Sequence, residues 1–359
     1  MRLRTVSSKD QGWTRQRDGE DFVYLDQRGQ PLPEDQTERC RLLVIPPAWE
    51  EVWICPVPNG HLQAVGTDDA GRRQYLYHEE WRRKRDKSKH DRVLTVAARL
   101  PKARRKVSGH LKMADMPYER ALATAFRLLD LGFFRIGGET YAEANNTFGL
   151  ATIQKQHVSI EGRRVVFDFI AKSGKERYVA LADQQVRAAV RDLLARHGGS
   201  DELLAYRSGG DWVDVTSTDI NSYVKEVVGG EVSAKDFRTW HGTVIAAVAL
   251  AQANDTAVTQ TARKRAVSGA MKVVSTYLGN TPTVARASYV DPRVIDLFND
   301  GATISPALAR TDHDLADGFT HGKIERAVLN LLTAPKSVVR KEYIKPALER
   351  QQALAGRSG

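Results

Sequence analysis

Cysteine is nearly missing from this chain. Only Cys40 and Cys55 occur in 359 residues, and neither sits in a CxxC or CxH setting. A disulfide framework and a Cys-ligated zinc site are therefore both unexpected. Long apolar runs are missing too: the longest, Val244 to Ala251, is far short of the roughly 18–20 residues that span a bilayer. The opening MRLRTVSSKDQGW has charge but no apolar segment after it, so no secretory signal is expected. No GxxxxGK[ST] is present, and AKSGKER has the wrong spacing, so an ATP-binding P-loop is unsupported. HEEW at 78–81 is not HExxH, and no GxSxG elbow occurs. Asp68-Asp69 is the nearest approach to a two-metal carboxylate pair, but it lies in a turn-like stretch without a third acid nearby.

Positive charge is abundant. Lys and Arg number 54 against 44 Asp and Glu, a formal excess of ten. Between Arg72 and Lys106 there are 14 cations and four acids, so 35 residues carry an excess equal to that of the whole chain. Tyr75, Tyr77 and Trp81 interleave with them. Long cationic side chains among planar rings suit a polyanion with stackable bases, bound with counterion release. With 42% hydrophobic residues the chain can bury a core, and its length suggests two or three domains. A soluble, intracellular, basic protein is expected.

Residues 1–38 are polar and turn-rich and read as a loosely ordered arm with one or two short strands. Over 41–80, short β-prone runs are separated by Asn59-Gly60 and Asp69-Ala70-Gly71, the pattern of a small antiparallel domain, closed by a basic helix at 79–90. The stretch 100–112, LPKARRKVSGHLK, reads as a linker or hinge. From about 117 helical periodicity takes over, with Asp115 as a plausible N-cap. A helix is expected at 139–148, then three β-prone runs between 151 and 182, then helices near 183–197, 217–227, 235–253 and 257–278. Domains of 1–99 and 113–359 follow, with a helical tail from about 300.

The chemistry-bearing residues are cations and one tyrosine. Arg135 lies in FFRIGGETY, Lys172 in FDFIAKSGKERYV, Arg238 in KDFRTW, and Asn280 and Tyr289 share YLGNTPTVARASYVDP. RIG, a hairpin lysine, KDxR and a tyrosine in SYxxP occur in this order at intervals of 37, 66, 42 and 9 residues. Together with GRRQYLYH upstream, this chain resembles the type IB DNA topoisomerases in their compact poxvirus-like and bacterial form, over roughly residues 41–295. The resemblance implies an α+β, bilobed DNA clamp: a small β-rich N-terminal domain and a larger, mainly α-helical catalytic domain carrying a small three-stranded antiparallel sheet. It also implies a monomer acting on duplex DNA without cofactor, metal or ATP, relaxing supercoils of both signs through a 3′-phosphotyrosyl intermediate.

The chemistry stands beside that resemblance. Phosphodiester transfer to a protein nucleophile builds negative charge on the non-bridging oxygens. Guanidiniums, always protonated and forked, suit that charge; Arg135 and Arg238 take this role. They also favour the phenolate of Tyr289, the attacking group. Lys172 protonates the leaving 5′-oxygen, although Lys175 shares its turn. Asn280 stands where the family commonly has histidine; an amide can donate a hydrogen bond but cannot act as an acid near neutrality. Taken singly, Arg238 could merely pair with Asp236, and Tyr277 is a nearby decoy that reads as packing. The resemblance further suggests Gln74, Tyr75, Tyr77, Tyr141 and Lys235 as DNA contacts. Gly138 occupies a position where some relatives carry lysine. A tyrosine recombinase, which usually shows HxxR rather than KDFR, and a non-catalytic DNA-binding clamp are the rival readings.

Overall fold

A computed structural model describes residues 2–138, 147–309 and 322–344. The chain divides into two compact units, residues 1–89 and 90–359: an N-terminal β-sheet unit and a larger α-helical one that contains a small sheet.

The first unit is built on five antiparallel strands: β1 (Trp13–Asp18), β2 (Asp21–Leu25), β3 (Glu50–Ile54), β4 (Leu62–Thr67) and β5 (Arg73–Tyr77), in the order β2-β1-β3-β4-β5. The Asn59-Gly60 and Asp69-Ala70-Gly71 breaks fall between β3 and β4 and between β4 and β5, as their turn chemistry requires. Trp13, Tyr24, Leu32, Cys40, Val52 and Ile54 form the core. Arg15 is buried with them because its guanidinium lies 4.1 Å from the Phe22 ring centroid and donates to the carbonyls of Ile45, Pro46 and Trp49. Helix α1 (Glu34–Leu42) was not expected from sequence. Its one buried residue is Cys40, so no apolar stripe marks it. It is held instead by Arg39, which donates to Cys55 O and Gln63 Oε1 at 2.8 and 3.0 Å.

Helix α2 (Glu79–His110) runs far beyond the basic segment assigned to it, and the division between units falls at Lys89/His90. Residues 100–110, expected as a linker, are its last turns. Leu100, Ala103 and Val107 are fully buried in the second unit's core, which outweighs the cost of Pro101 inside the helix. α3 (Tyr118–Gly132) begins at Pro117 with no side-chain cap, so Asp115 does not serve as one. The expected sheet is present: β6 (Val158–Glu161), β7 (Arg164–Ala171) and β8 (Lys175–Leu181), antiparallel in chain order. α4 (Gln184–Leu194) precedes an unanticipated hairpin of β9 (Ala205–Ser208) and β10 (Asp211–Asp214). There follow α5 (Ser217–Val228), α6 (Ala234–Ala253), α7 (Gln260–Leu278), α8 (Pro282–Ser288) and α9 (Pro292–Asn299). The tail contributes α10 (Ser305–Leu308), α11 (Lys323–Thr333) and α12 (Lys336–Val339). Helix α6 is the central post: 16 of its 20 residues are buried, among them Asp236, Arg238 and His241 near its start and an almost unbroken apolar run after them. The helix expected over 139–148 falls mainly outside the described residues, and Tyr141 with it.

Candidate active site

Arg135 leaves the end of α3 through a sharp turn. Phe133 adopts a left-handed conformation, φ 56°, which aims its carbonyl back at α6. Arg135 and Ile136 are then clamped by backbone bonds from Leu150 and Ala151 at 2.8 and 2.7 Å. Glycine is obligatory at this crossing. Gly137 has φ 85°, and a Cβ on Gly149 would stand 2.4 Å from Gly137 Cα. Lys172 opens the tip of the β7–β8 hairpin, whose pairing closes at Ala171↔Lys175; Ser173 and Gly174, both near φ 67°, make the reversal. Arg135, Gly137, Phe148, Gly149 and Lys172 line one pocket, and Lys172 rather than Lys175 faces it.

Arg238 is 3% exposed on α6. Its Nη1 donates to Phe133 O at 2.5 Å and its Nη2 to Leu278 O at 2.7 Å. Its guanidinium carbon lies 5.0 Å from the centroid of the Tyr289 ring. Asp236 is not its partner: that carboxylate accepts from Arg92 at 2.8 Å and from the Ser233 N–H at 2.9 Å, fixing the start of α6. Tyr289 caps the end of α8, and Gly242 of α6 lets it approach. A Cβ on Gly242 would meet Tyr289 O at 2.9 Å and Tyr289 Cβ at 3.2 Å. Tyr277 packs edge-on against Phe133 at 5.8 Å, a packing residue as expected.

The electrostatics favour an anion at Tyr289. Burial pushes the phenol up, but Arg238, by charge and hydrogen bond, and then Arg135 and Lys235 outweigh it, so it lies below its ordinary value. Arg238 is itself lowered, by burial first and Arg135 second, with Tyr289 opposing; a guanidinium still holds its proton near neutrality. Asn280 lies just beyond α7. Its side-chain Nδ2 and Oδ1 are both buried and unbonded among the described residues, an amide with its full donor capacity in hand. Arg135, Lys172, Arg238, Asn280, Tyr289 and Lys235 thus all belong to the second unit.

Gln74, Tyr75 and Tyr77 lie on β5, the edge strand of the first unit. Tyr75 and Tyr77 stack with centroids 6.2 Å apart, and Tyr75 is 51% exposed. Asp68 receives Arg72 and the Gln74 amide at 2.7 and 2.8 Å. Those donors, Arg72 first, hold its carboxyl at about 2. Asp68 is therefore an orienting anion for the edge strand. Two features of the site and its support escaped sequence reasoning. Arg177 on β8 enters the site from the hairpin, and Glu325 on α11 buttresses α6; no local motif marks either.

The sequence model of the eukaryotic DNA topoisomerase I catalytic core matches residues 78–300, more than half of the chain. The chain belongs to the type IB DNA topoisomerase family. The bacterial DNA topoisomerase IB N-terminal domain matches residues 21–68. A DNA topoisomerase 1B of Acanthamoeba polyphaga mimivirus is 28% identical over 299 residues, covering 81% of this chain and 88% of its own. The DNA topoisomerase 1B of Vaccinia virus (strain Copenhagen) is 27% identical over 36% of this chain and 40% of its own. For the DNA topoisomerase 1 of Schizosaccharomyces pombe the figures are 26%, 36% and 15%. The long overlap with the mimiviral relative and the family core that spans Arg135 to Tyr289 place every residue of the geometric cluster inside the shared region. Among the described residues no helix is long and apolar enough to cross a membrane, and no cluster of three or more metal-ligating residues occurs.

Proposed function

We propose that this topoisomerase is of the compact, poxvirus-like and bacterial form and relaxes positive and negative supercoils of duplex DNA as a monomer in the bacterial cytoplasm. The observation that carries the mechanism is the Tyr289 phenol held against Arg238, with Arg135 and Lys235 near enough to favour its anion. Tyr289 Oη attacks the scissile phosphorus, and the P–O5′ bond breaks as Lys172 delivers a proton to the leaving oxygen. Arg135, Arg238 and the Asn280 amide take up the charge that develops on the non-bridging oxygens. The 3′-phosphotyrosine retains the energy of the broken linkage, so the 5′-hydroxyl attacks back after the strand has rotated. None of these steps assigns a role to ATP or to a metal. Gln74, Tyr75 and Tyr77 on the first unit and Lys235 on the second contact the duplex, and the basic stretch supplies phosphate neutralisation.

The test is relaxation of negatively and positively supercoiled plasmid in excess EDTA without ATP, for wild type and Tyr289→Phe. The proposal expects relaxation by wild type alone, with DNA binding equal in the two. Relaxation by the phenylalanine variant refutes Tyr289 as nucleophile. Tight, salt-sensitive binding by an inactive wild type points instead to a recombinase or a non-catalytic clamp.

A further inference from the structure

The end of α7 gathers three arginines on consecutive carbonyls. Arg177 Nη1 and Nη2 donate to Thr276 O and Tyr277 O at 3.3 and 2.9 Å. Arg238 Nη2 donates to Leu278 O at 2.7 Å. Arg135 Nη2 donates to Gly279 O at 3.1 Å. A helix leaves its last carbonyls without intrahelical partners and carries partial negative charge there. Three guanidiniums supply the partners, and the helix end supplies the counter-charge that lets three cations share one small volume. The mutual repulsion is real: burial and then Arg135 lower Arg177, while burial, Arg135 and Arg177 all lower Arg238.

Two of the three arginines serve the reaction directly. Arg177 has no such place, yet its position is specific. It pairs across the sheet with Phe169, five residues after Lys172 at the hairpin tip. Its stem lies against Gly279, where a Cβ would stand 3.1 Å from Arg177 Cδ. Gly279 is left-handed, φ 61°, and hands the chain on to Asn280, whose N–H donates to Ser275 O at 3.1 Å. One side chain thus joins the hairpin that carries Lys172 at its tip to the helix end that presents Asn280.

Building on the proposed strand cleavage, we propose that Arg177 is a positioning residue for that reaction: it fixes the end of α7 so that the Asn280 amide meets the scissile phosphate. It touches no reacting atom. Truncation takes the side-chain donor from Tyr277 O, leaves Thr276 O with only the Gly279 N–H at 3.3 Å, and frees the α7 terminus to shift; a misplacement of about 1 Å at a reacting group costs roughly 100-fold in rate. Lysine can reach one carbonyl but cannot fork to both, so it restores part of the loss.

The experiment measures single-turnover cleavage of a duplex oligonucleotide and equilibrium DNA affinity for wild type, Arg177→Ala, Arg177→Lys, Asn280→Ala and the Arg177→Ala/Asn280→Ala double variant, with thermal melting to confirm folding. Arg177→Ala is expected to lose about 10- to 100-fold in cleavage rate with affinity unchanged, and Arg177→Lys to fall between it and wild type. The double variant is expected to cleave no more slowly than Asn280→Ala alone, because both changes remove one interaction. A second substrate with sulfur in place of the bridging 5′-oxygen needs no proton for its leaving group. The Arg177→Ala defect is expected to persist on it. Losses that multiply in the double variant, a defect that vanishes on the sulfur substrate, or an unchanged Arg177→Ala each overturn the inference. A wild type that forms no covalent complex overturns the proposed function itself, which separates the two failures.

Discussion

Replacing Arg238 by alanine tests the link between its two surroundings, the helix end and the phenol. The guanidinium makes two buried bonds, to Phe133 O and Leu278 O. Each orphaned carbonyl costs about 1–3 kcal/mol, so the gross penalty is about 2–6 kcal/mol. Part of it is offset, because a desolvated cation repelled by Arg135 and Arg177 is removed as well. Stability should therefore fall by only ~1–3 kcal/mol, leaving a folded protein. Catalysis suffers more: loss of one preorganised donor set costs about 100- to 1,000-fold, or ~2.7–4 kcal/mol of barrier. The pH dependence carries the sign. Arg238 is the foremost of the groups that lower the Tyr289 phenol against its burial. Without it the phenol rises, held down only by Arg135 and Lys235 against its burial, and the phenolate-dependent limb of the rate moves to higher pH. Single-turnover cleavage with excess enzyme across pH ~6–10 reads both effects. A variant that cleaves within about three-fold of wild type, or whose limb moves to lower pH, refutes the assignment.

Two further outcomes follow from the same structure. Glu325 accepts both terminal nitrogens of Arg104, at 2.5 and 3.0 Å, and the Trp240 indole N–H at 2.8 Å, while Arg104 also holds the fully buried Asp130. Glu325→Ala should cost about 2–4 kcal/mol, less than full loss of a buried pair because Arg104 keeps Asp130. That is ~4–16 °C in the melting of the second unit, and an unchanged melt rejects α11 as a buttress of α6. In the basic stretch Arg83 is paired with Glu79 and Glu80, whereas Lys84 and Lys87 are exposed. Changing both to Gln should lower the slope of log affinity against log salt by about two, at ~0.9 per phosphate contact, and an unaltered slope removes this segment from the DNA interface.

Much of this protein was legible in the amino-acid order alone. Turn chemistry at Asn59-Gly60 and Asp69-Ala70-Gly71 placed β3, β4 and β5, and apolar periodicity placed α5, α6 and α7 to within a few residues, because both signals are local. The five chemistry-bearing residues, Arg135, Lys172, Arg238, Asn280 and Tyr289, were likewise marked by motifs a few residues long. What local signals could not supply, the tertiary structure decided. Residues 100–110 carry Pro and four Lys/Arg within a linker-like stretch, yet Leu100, Ala103 and Val107 are drawn into a core that continues α2 through the proline. α1 forms without an apolar stripe because Arg39 ties it to a neighbouring loop. Arg238 had Asp236 two positions away as a plausible partner, but residues at i and i+2 of a helix do not face each other, and Asp236 turns to Arg92 instead. Arg177 is the clearest case. Nothing near it in sequence distinguishes it from other arginines, since the carbonyls it caps lie some hundred residues further along the chain. Short motifs marked the candidate residues; long-range packing decided which cations share a helix end.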